Sequence, residues 1–143
     1  MTTVRQVLDG KSPEVHAVAP QAAVFDAIQL MAEKGVGAVL VMEGPQLMGI
    51  LSERDYARKI VLRDRSSRDT RVADIMTAQL VTVSPDSQVA YCLQLVTDHR
   101  IRHLPVVEEG RVLGVISIGD LVKAVIDAQA RELEHLQHYI TAG

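Results

Sequence analysis

Gly49-Ile50-Leu51-Ser52-Glu53-Arg54-Asp55 recurs as Gly114-Val115-Ile116-Ser117-Ile118-Gly119-Asp120, and the interval of 65 residues between the two stretches decides the architecture. At that one offset Val18 meets Val83, Pro20 meets Pro85, Val24 meets Val89, Leu30 meets Leu95 and Val41 meets Val106, with no gap needed. Upstream the offset becomes 68, pairing Val4, Val7 and Leu8 with Val72, Ile75 and Met76, so the first copy carries three extra residues around positions 10–14. A fixed internal period marks a duplicated supersecondary unit that cannot bury its apolar face alone. Short insertions of this kind belong in loops.

Each copy predicts the same order of elements. A short extended piece (15–18, 80–83) stops at proline and is followed by an amphipathic helix. Its apolar stripe is Val24, Ala27, Ile28 and Met31 in the first copy and Val89, Cys92, Leu93 and Val96 in the second, the i, i+3, i+4, i+7 pattern. Gly35 is a stop signal. Two aliphatic runs follow (38–42 and 47–51; 104–107 and 112–116), joined by Glu43-Gly44-Pro45-Gln46 and Glu108-Glu109-Gly110-Arg111, and they predict strand pairs with tight turns. A helix beginning at Ser52 or Ser117 closes each copy. Residues 63–71 hold four arginines and two aspartates and are expected to form a solvated connection. The last helix continues past the repeat with Val122, Ile126, Gln129, Leu133, Leu136 and Ile140, a short heptad seam broken by one polar residue. Packing onto its own core and pairing with a second chain both remain open for it.

Composition narrows the function. The chain has 143 residues, 48% hydrophobic and 3% aromatic, which is too apolar for a disordered chain. Fifteen basic against eighteen acidic residues leave a net charge of -3, so no polycationic face points to nucleic acid. Phe25, Tyr56, Tyr91 and Tyr139 are scattered and no tryptophan exists, which disfavours a base-stacking platform. The lone Cys92 cannot pair internally, and no basic start with an apolar run opens the chain, so a cytoplasmic protein is expected. No apolar run approaches the ~20 residues of a membrane span.

The repeated Gly-hydrophobic-hydrophobic-Ser-x-x-Asp lies where a strand hands over to a helix. Its structural reading is a capping box with Asp in place of the usual Glu or Gln. Its functional reading uses the same place, because amides at a helix start favour an anion and a carboxylate there accepts both hydroxyls of a ribose. His135 and His138 lack the acidic company of a metal site, and Cys92 lies on an apolar stripe, where a small core residue is expected. No acid-base pair stands out, and Asp55 and Asp120 are pseudo-equivalent rather than one dyad; no enzyme is expected.

The combination Thr82-Val83-Ser84-Pro85-Asp86, His99-Arg100-Ile101-Arg102-His103-Leu104-Pro105-Val106-Val107 and Leu113-Gly114-Val115-Ile116-Ser117-Ile118-Gly119-Asp120-Leu121 resembles the second half of a tandem pair of cystathionine-beta-synthase (CBS) domains, the Bateman module. Val18-Ala19-Pro20, Gly35-Val36-Gly37-Ala38-Val39-Leu40-Val41 and the Ser52 motif match as the first half, with Leu40 where the second has Pro105. The resemblance runs from about Val4 to about Val125. It implies a stand-alone α/β (α+β) protein of two pseudo-symmetric β-α-β-β-α units packed through their sheets, with an extended C-terminal helix. Residues 1–65 would form the first unit, 66–72 the linker, 73–127 the second unit and 128–143 the helical extension.

The resemblance further implies an adenosine-containing ligand, AMP, ADP or ATP, with NAD or S-adenosylmethionine as others, in the cleft between the units. Asp120 and Asp55 would hold ribose diols, and Ser117 and Ser52 ribose or phosphate, with Gly119 and Arg54 inside the two motifs. Adenine would lie against residues 81–83 and 104–106, including Thr82, Val83, Leu104 and Pro105, or against residues 16–18 and 39–41, including Val18 and Val39. Arg102 and His103 would face the phosphates of the second site. Gly37 and Ala38 replace them in the first, leaving Arg54, Arg58 and Lys59 for that role. The implied protein is a homodimeric adenine-nucleotide sensor that signals to an unknown regulated partner, with no membrane or nucleic-acid role. The rivals are a ligand-free structural or interaction module and, further off, a nucleotide-hydrolysing enzyme.

Overall fold

The structure, a computed structural model, describes residues 1–12 and 14–142. The chain forms α1 (Val4–Asp9), β1 (Ala17–Val18), α2 (Val24–Lys34), β2 (Ala38–Glu43), β3 (Gln46–Ser52), α3 (Glu53–Tyr56), α4 (Val89–His99), β4 (His103–Glu108), β5 (Arg111–Ser117) and α5 (Ile118–Ala142). Mixed helix and strand with two small sheets and a long C-terminal helix is the class the repeat predicts.

The helical stripes bury as their spacing requires. Val24, Ala27 and Met31 of α2 and Val89, Cys92 and Val96 of α4 are buried at equivalent positions. Helix α2 stops on Gly35 at φ +64, in the left-handed region, and the cap N–H bonds the Met31 carbonyl. Its twin α4 stops on Arg100 at φ +54, so the stop is set by geometry and not by glycine alone.

β2 pairs antiparallel with β3 and parallel with β1 in a three-stranded sheet of order β1-β2-β3, while β4 and β5 form a two-stranded sheet. The extended pieces are weaker than their sequence suggests. β1 spans two residues, and the 80–83 stretch joins its sheet through one parallel bridge, Val83 with Val106.

Two compact units result: residues 1–13, 82–108 and 114–143 in one, residues 14–81 and 109–113 in the other. The leading segment of each repeat is docked on the body of the other. In the first-named unit the Val4 N–H donates to Ser87 O (2.8 Å), Arg5 N–H to Pro85 O (2.9 Å), and Val89 N–H to Thr2 O (2.9 Å). In the second the Val72 N–H donates to Ala22 O (2.8 Å), Ala73 N–H to Pro20 O (2.9 Å), and Val24 N–H to Thr70 O (2.9 Å). These are the same three bonds under the 68 and 65 offsets. This grouping follows the docked segments.

The connection is exposed along most of its length, its four arginines included, as expected, and it is also docked. Ser67 O accepts from the Phe25 N–H, Thr70 is buried, and the Arg68 guanidinium lies 3.9 Å over the Phe25 ring. An arginine stacked on an aromatic face loses little hydration, so charge in the segment does not keep it off the body.

The unit of residues 14–81 has a core of Val24, Ala27 and Met31 with Val39, Val41, Leu51, Ile60, Val72 and Ile75. Each of the valine, leucine, isoleucine and methionine side chains contributes roughly 1.5–3 kcal/mol on burial. In the other unit Val4, Val83, Leu104, Val106, Ile116 and Leu121 are buried. The motif glycines make room for the docked segments. A Cβ on Gly49 would stand 2.8 Å from both Met76 Sδ and Thr77 O, and one on Gly114 would stand 2.9 Å from Leu8 Cδ2.

Candidate functional site

Each Ser-x-x-Asp corner is built by three local constraints. The strand delivers the serine in extended conformation, φ -112 and ψ 164 at Ser52, so that its side chain faces the helix start. The Asp55 N–H donates to Ser52 Oγ (3.1 Å) while the Ser52 N–H donates to Asp55 Oδ2 (3.0 Å). Asp120 N–H and Ser117 Oγ (3.1 Å), and Ser117 N–H and Asp120 Oδ2 (2.8 Å), repeat the pattern. Both are complete capping boxes, as the structural reading of the motif requires. The first helical N–H is also shared in kind: Glu53 donates to Gly37 O (3.0 Å) and Ile118 to Arg102 O (2.9 Å).

Those bonds bring several sequence candidates together. In one unit the Arg102 backbone is fastened to the Ser117–Asp120 corner, and Val83 lies along β4, its N–H donating to Pro105 O (3.1 Å) and its carbonyl accepting from Val107 (2.9 Å). Thr82 and Arg102 are exposed, His103 is half-buried, and Leu104 and Pro105 are buried within β4. Gly119 is exposed in the first turn of α5. In the other unit Val18 pairs with Val41 beside Val39, and Gly37 and Ala38 lead into β2 next to the Ser52–Asp55 corner. Arg54 and Arg58 are exposed, Arg54 in α3 and Arg58 in the π-helical turn that follows at Ala57–Val61.

Around the carboxylates the copies diverge. Asp55 Oδ1 takes the ammonium of Lys59 (3.1 Å) and the hydroxyl of Thr77 (3.2 Å), and Oδ2 takes the Ser52 hydroxyl (3.1 Å) beside the Ser52 amide. Lys59 also donates to Ile75 O (2.8 Å). At Asp120 the cation comes from far along the chain: Lys11 Nζ lies 2.6 Å from Oδ2 and donates to Val115 O (2.8 Å). The side chain of Asp120 is 24% exposed and that of Asp55 12%. Burial pushes the Asp120 carboxyl up, but the hydrogen bond from Lys11, the Ser117 amide and the lysine charge outweigh it and hold the group below its ordinary 3.8.

Lys11 and Thr77 were not legible as site residues. Val115 is the twin of Ile50, whose N–H and C=O exchange bonds with Thr77 at 3.0 and 2.9 Å. Lys11 Nζ thus supplies to Val115 O the donor that the Thr77 amide supplies to Ile50 O. The one sequence signal was the three-residue insertion around positions 10–14, which carries Lys11.

Elsewhere the chemistry is sparse. Cys92 is fully buried, and burial pushes its thiol above the ordinary value. His135 and His138 are exposed on α5, and among the described residues no group of three or more His, Cys, Asp or Glu gathers as a metal site. No helix among them is long and apolar enough to cross a membrane.

Two bodies of helix and strand, related by an internal repeat and each closed by a serine–aspartate corner, define a tandem domain pair. The chain belongs to the CBS-domain family, whose domain is matched at residues 4–62 and 72–127. A solved CBS-domain structure from Burkholderia ambifaria MC40-6 is 52% identical with a TM-score of 0.86, covering 90% of this chain and 96% of that one. The mitochondrial CBS domain-containing protein CBSX3 of Arabidopsis thaliana is 46% identical over 125 residues, 84% of this chain, which spans 61% of that relative's length. At 21% identity, the CBS domain pair of protein MJ0100, solved with 5'-methylthioadenosine and S-adenosyl-L-methionine, shares the fold with a TM-score of 0.78 over 89% of this chain and 98% of that one.

Proposed function

We propose that the chain is a regulatory module that binds an adenosine-containing ligand, AMP, ADP or ATP before NAD or S-adenosylmethionine, through Asp120 with Ser117 and Asp55 with Ser52. The observation that carries this reading is the duplicated corner: a carboxylate fixed by a serine amide at a strand-to-helix junction, beside an extended backbone with aliphatic walls. A carboxylate so placed accepts two vicinal hydroxyls once donors now on it, Lys11 at Asp120 or Lys59 and Thr77 at Asp55, give up their places. The adenosine ligands of MJ0100 support the class of ligand. Thr82, Val83, Leu104 and Pro105, or Val18 and Val39, take the adenine, and Arg102 with His103, or Arg54 with Arg58, the phosphates.

Binding favours one conformation of the module over another, and the free energy of that preference sets how strongly a partner protein is regulated. The second copy of the chain is the proposed structural partner, because every residue from 129 to 141 is exposed along four turns of α5, and a helix of that length is marginal alone. One buried free cysteine suits a reducing compartment such as the cytoplasm. The completeness of both capping boxes favours the second reading, a ligand-free structural module. Melting with and without AMP or ATP separates the two: a ligand that binds the folded state raises Tm, and an unchanged Tm at saturating nucleotide supports the structural module.

A further inference from the structure

Of two pseudo-equivalent carboxylates, one takes its cation from its own repeat and the other from outside it. Asp55 receives its cation from Lys59, four residues on, and its hydroxyl donor from Thr77. Asp120 receives Lys11, which reaches it from 109 positions away in sequence. Each carboxylate oxygen has two in-plane acceptor positions. On Asp120 Oδ2 one is used by the Ser117 amide and the other by Lys11. A vicinal diol that engages both oxygens of the carboxylate therefore needs the place Lys11 holds. The serine amide belongs to the cap of a 25-residue helix and stays; the lysine, on a flexible stem and one-third exposed, is the group that can leave. The pair also borders an open groove of about 910 Å³ between α1, α4 and α5, so it is reachable from solvent.

We propose that Lys11 is a built-in occupant of the Asp120 site, that ligand ribose and the Lys11 ammonium compete for the same carboxylate oxygen, and that ligand binding thereby loosens the leading segment. This rests on the ribose role proposed for Asp120. Release costs two contacts at once, to Asp120 Oδ2 and to Val115 O. The loosened stretch is α1, which is otherwise held by burial of Val4 and by the Val4 and Arg5 amides on Ser87 and Pro85. Occupancy of the site is thus reported by residues 2–11.

The test uses the full chain with AMP as probe. Lys11→Met keeps the stem and removes the ammonium, so calorimetry is expected to give AMP affinity tighter by about two- to fivefold, the range for relieving a partly exposed ion pair. Hydrogen exchange on the wild-type chain, which needs no variant, is expected to show faster uptake in peptides covering residues 2–11 when AMP is added, and no such change in Lys11→Met. Equal or weaker binding by the variant, or unchanged or slower exchange at residues 2–11 while AMP binds, overturns the competition and leaves the nucleotide reading standing. Failure of AMP, ATP and NAD to bind either protein overturns both.

Discussion

The two motif glycines are equivalent in sequence and unequal in surroundings, so the same substitution at each has different consequences. At Gly49 a methyl group would stand 2.8 Å from Thr77 O, a backbone atom, as well as 2.8 Å from Met76 Sδ. Thr77 is tied to Ile50 by two backbone bonds and to Asp55 through its hydroxyl, so it moves only by giving some of them up. Overpacking of this kind costs about 1–3 kcal/mol, and each lost bond about 1 kcal/mol more. For Gly49→Ala we expect a total near 2–4 kcal/mol, or about 1–2 M in the urea midpoint at an m-value of about 2 kcal/mol/M. At Gly114 the near atom is Leu8 Cδ2 at 2.9 Å, the end of a side chain that can rotate away. Gly114→Ala should cost below about 1.5 kcal/mol. Urea unfolding at one fixed protein concentration compares the pair. Equal costs, or a larger cost at Gly114, would refute the claim that docked backbone rather than the motif dictates the glycine.

Three further outcomes follow from the same structure. Gly35→Ala should cost about 1 kcal/mol, since no atom lies within 4 Å of the added methyl group and the left-handed φ of +64 alone resists it; thermal unfolding measures it. The folded Asp120 carboxyl lies below 3.8, so its contribution to stability is full above that pH and is lost as pH falls through the lower folded value. Carbon-detected NMR titration should find it there, and in Lys11→Met it should move up because burial is then less opposed; a wild-type value at or above 3.8 would contradict the pairing. Leu133→Glu with Leu136→Glu, both exposed on α5, should convert the proposed dimer to a monomer by light scattering, whereas an unchanged mass would count against α5 as its interface.

Much of the fold was legible because the repeat doubled every signal. The stripes through Val24 and Val89 and the strand pairs either side of Gly44 and Gly110 appear where the periodicity places them. The serine–aspartate caps were legible too, since capping is local chemistry at a spacing of three. What the sequence could not express is partnership at long range. The docking of residues 2–9 on the 85–89 stretch that leads into α4 rests on backbone bonds, such as Val4 to Ser87, that leave no residue signature. The placing of residues 67–71 on α2 adds an arginine over Phe25 to backbone bonds from Val24 and Phe25, while the arginines of the segment stay exposed as mixed charge predicts. Lys11 was hidden for the same reason, its partner Asp120 lying across the repeat.

The direct test of nucleotide recognition is calorimetry of the wild-type chain and of Asp120→Ala with AMP, ATP and NAD. Binding of at least one nucleotide tighter than millimolar, weakened about tenfold or more in Asp120→Ala by loss of a charged hydrogen-bond acceptor, is the predicted result. No binding tighter than millimolar, or an Asp120→Ala chain that binds as well as wild type, would contradict it.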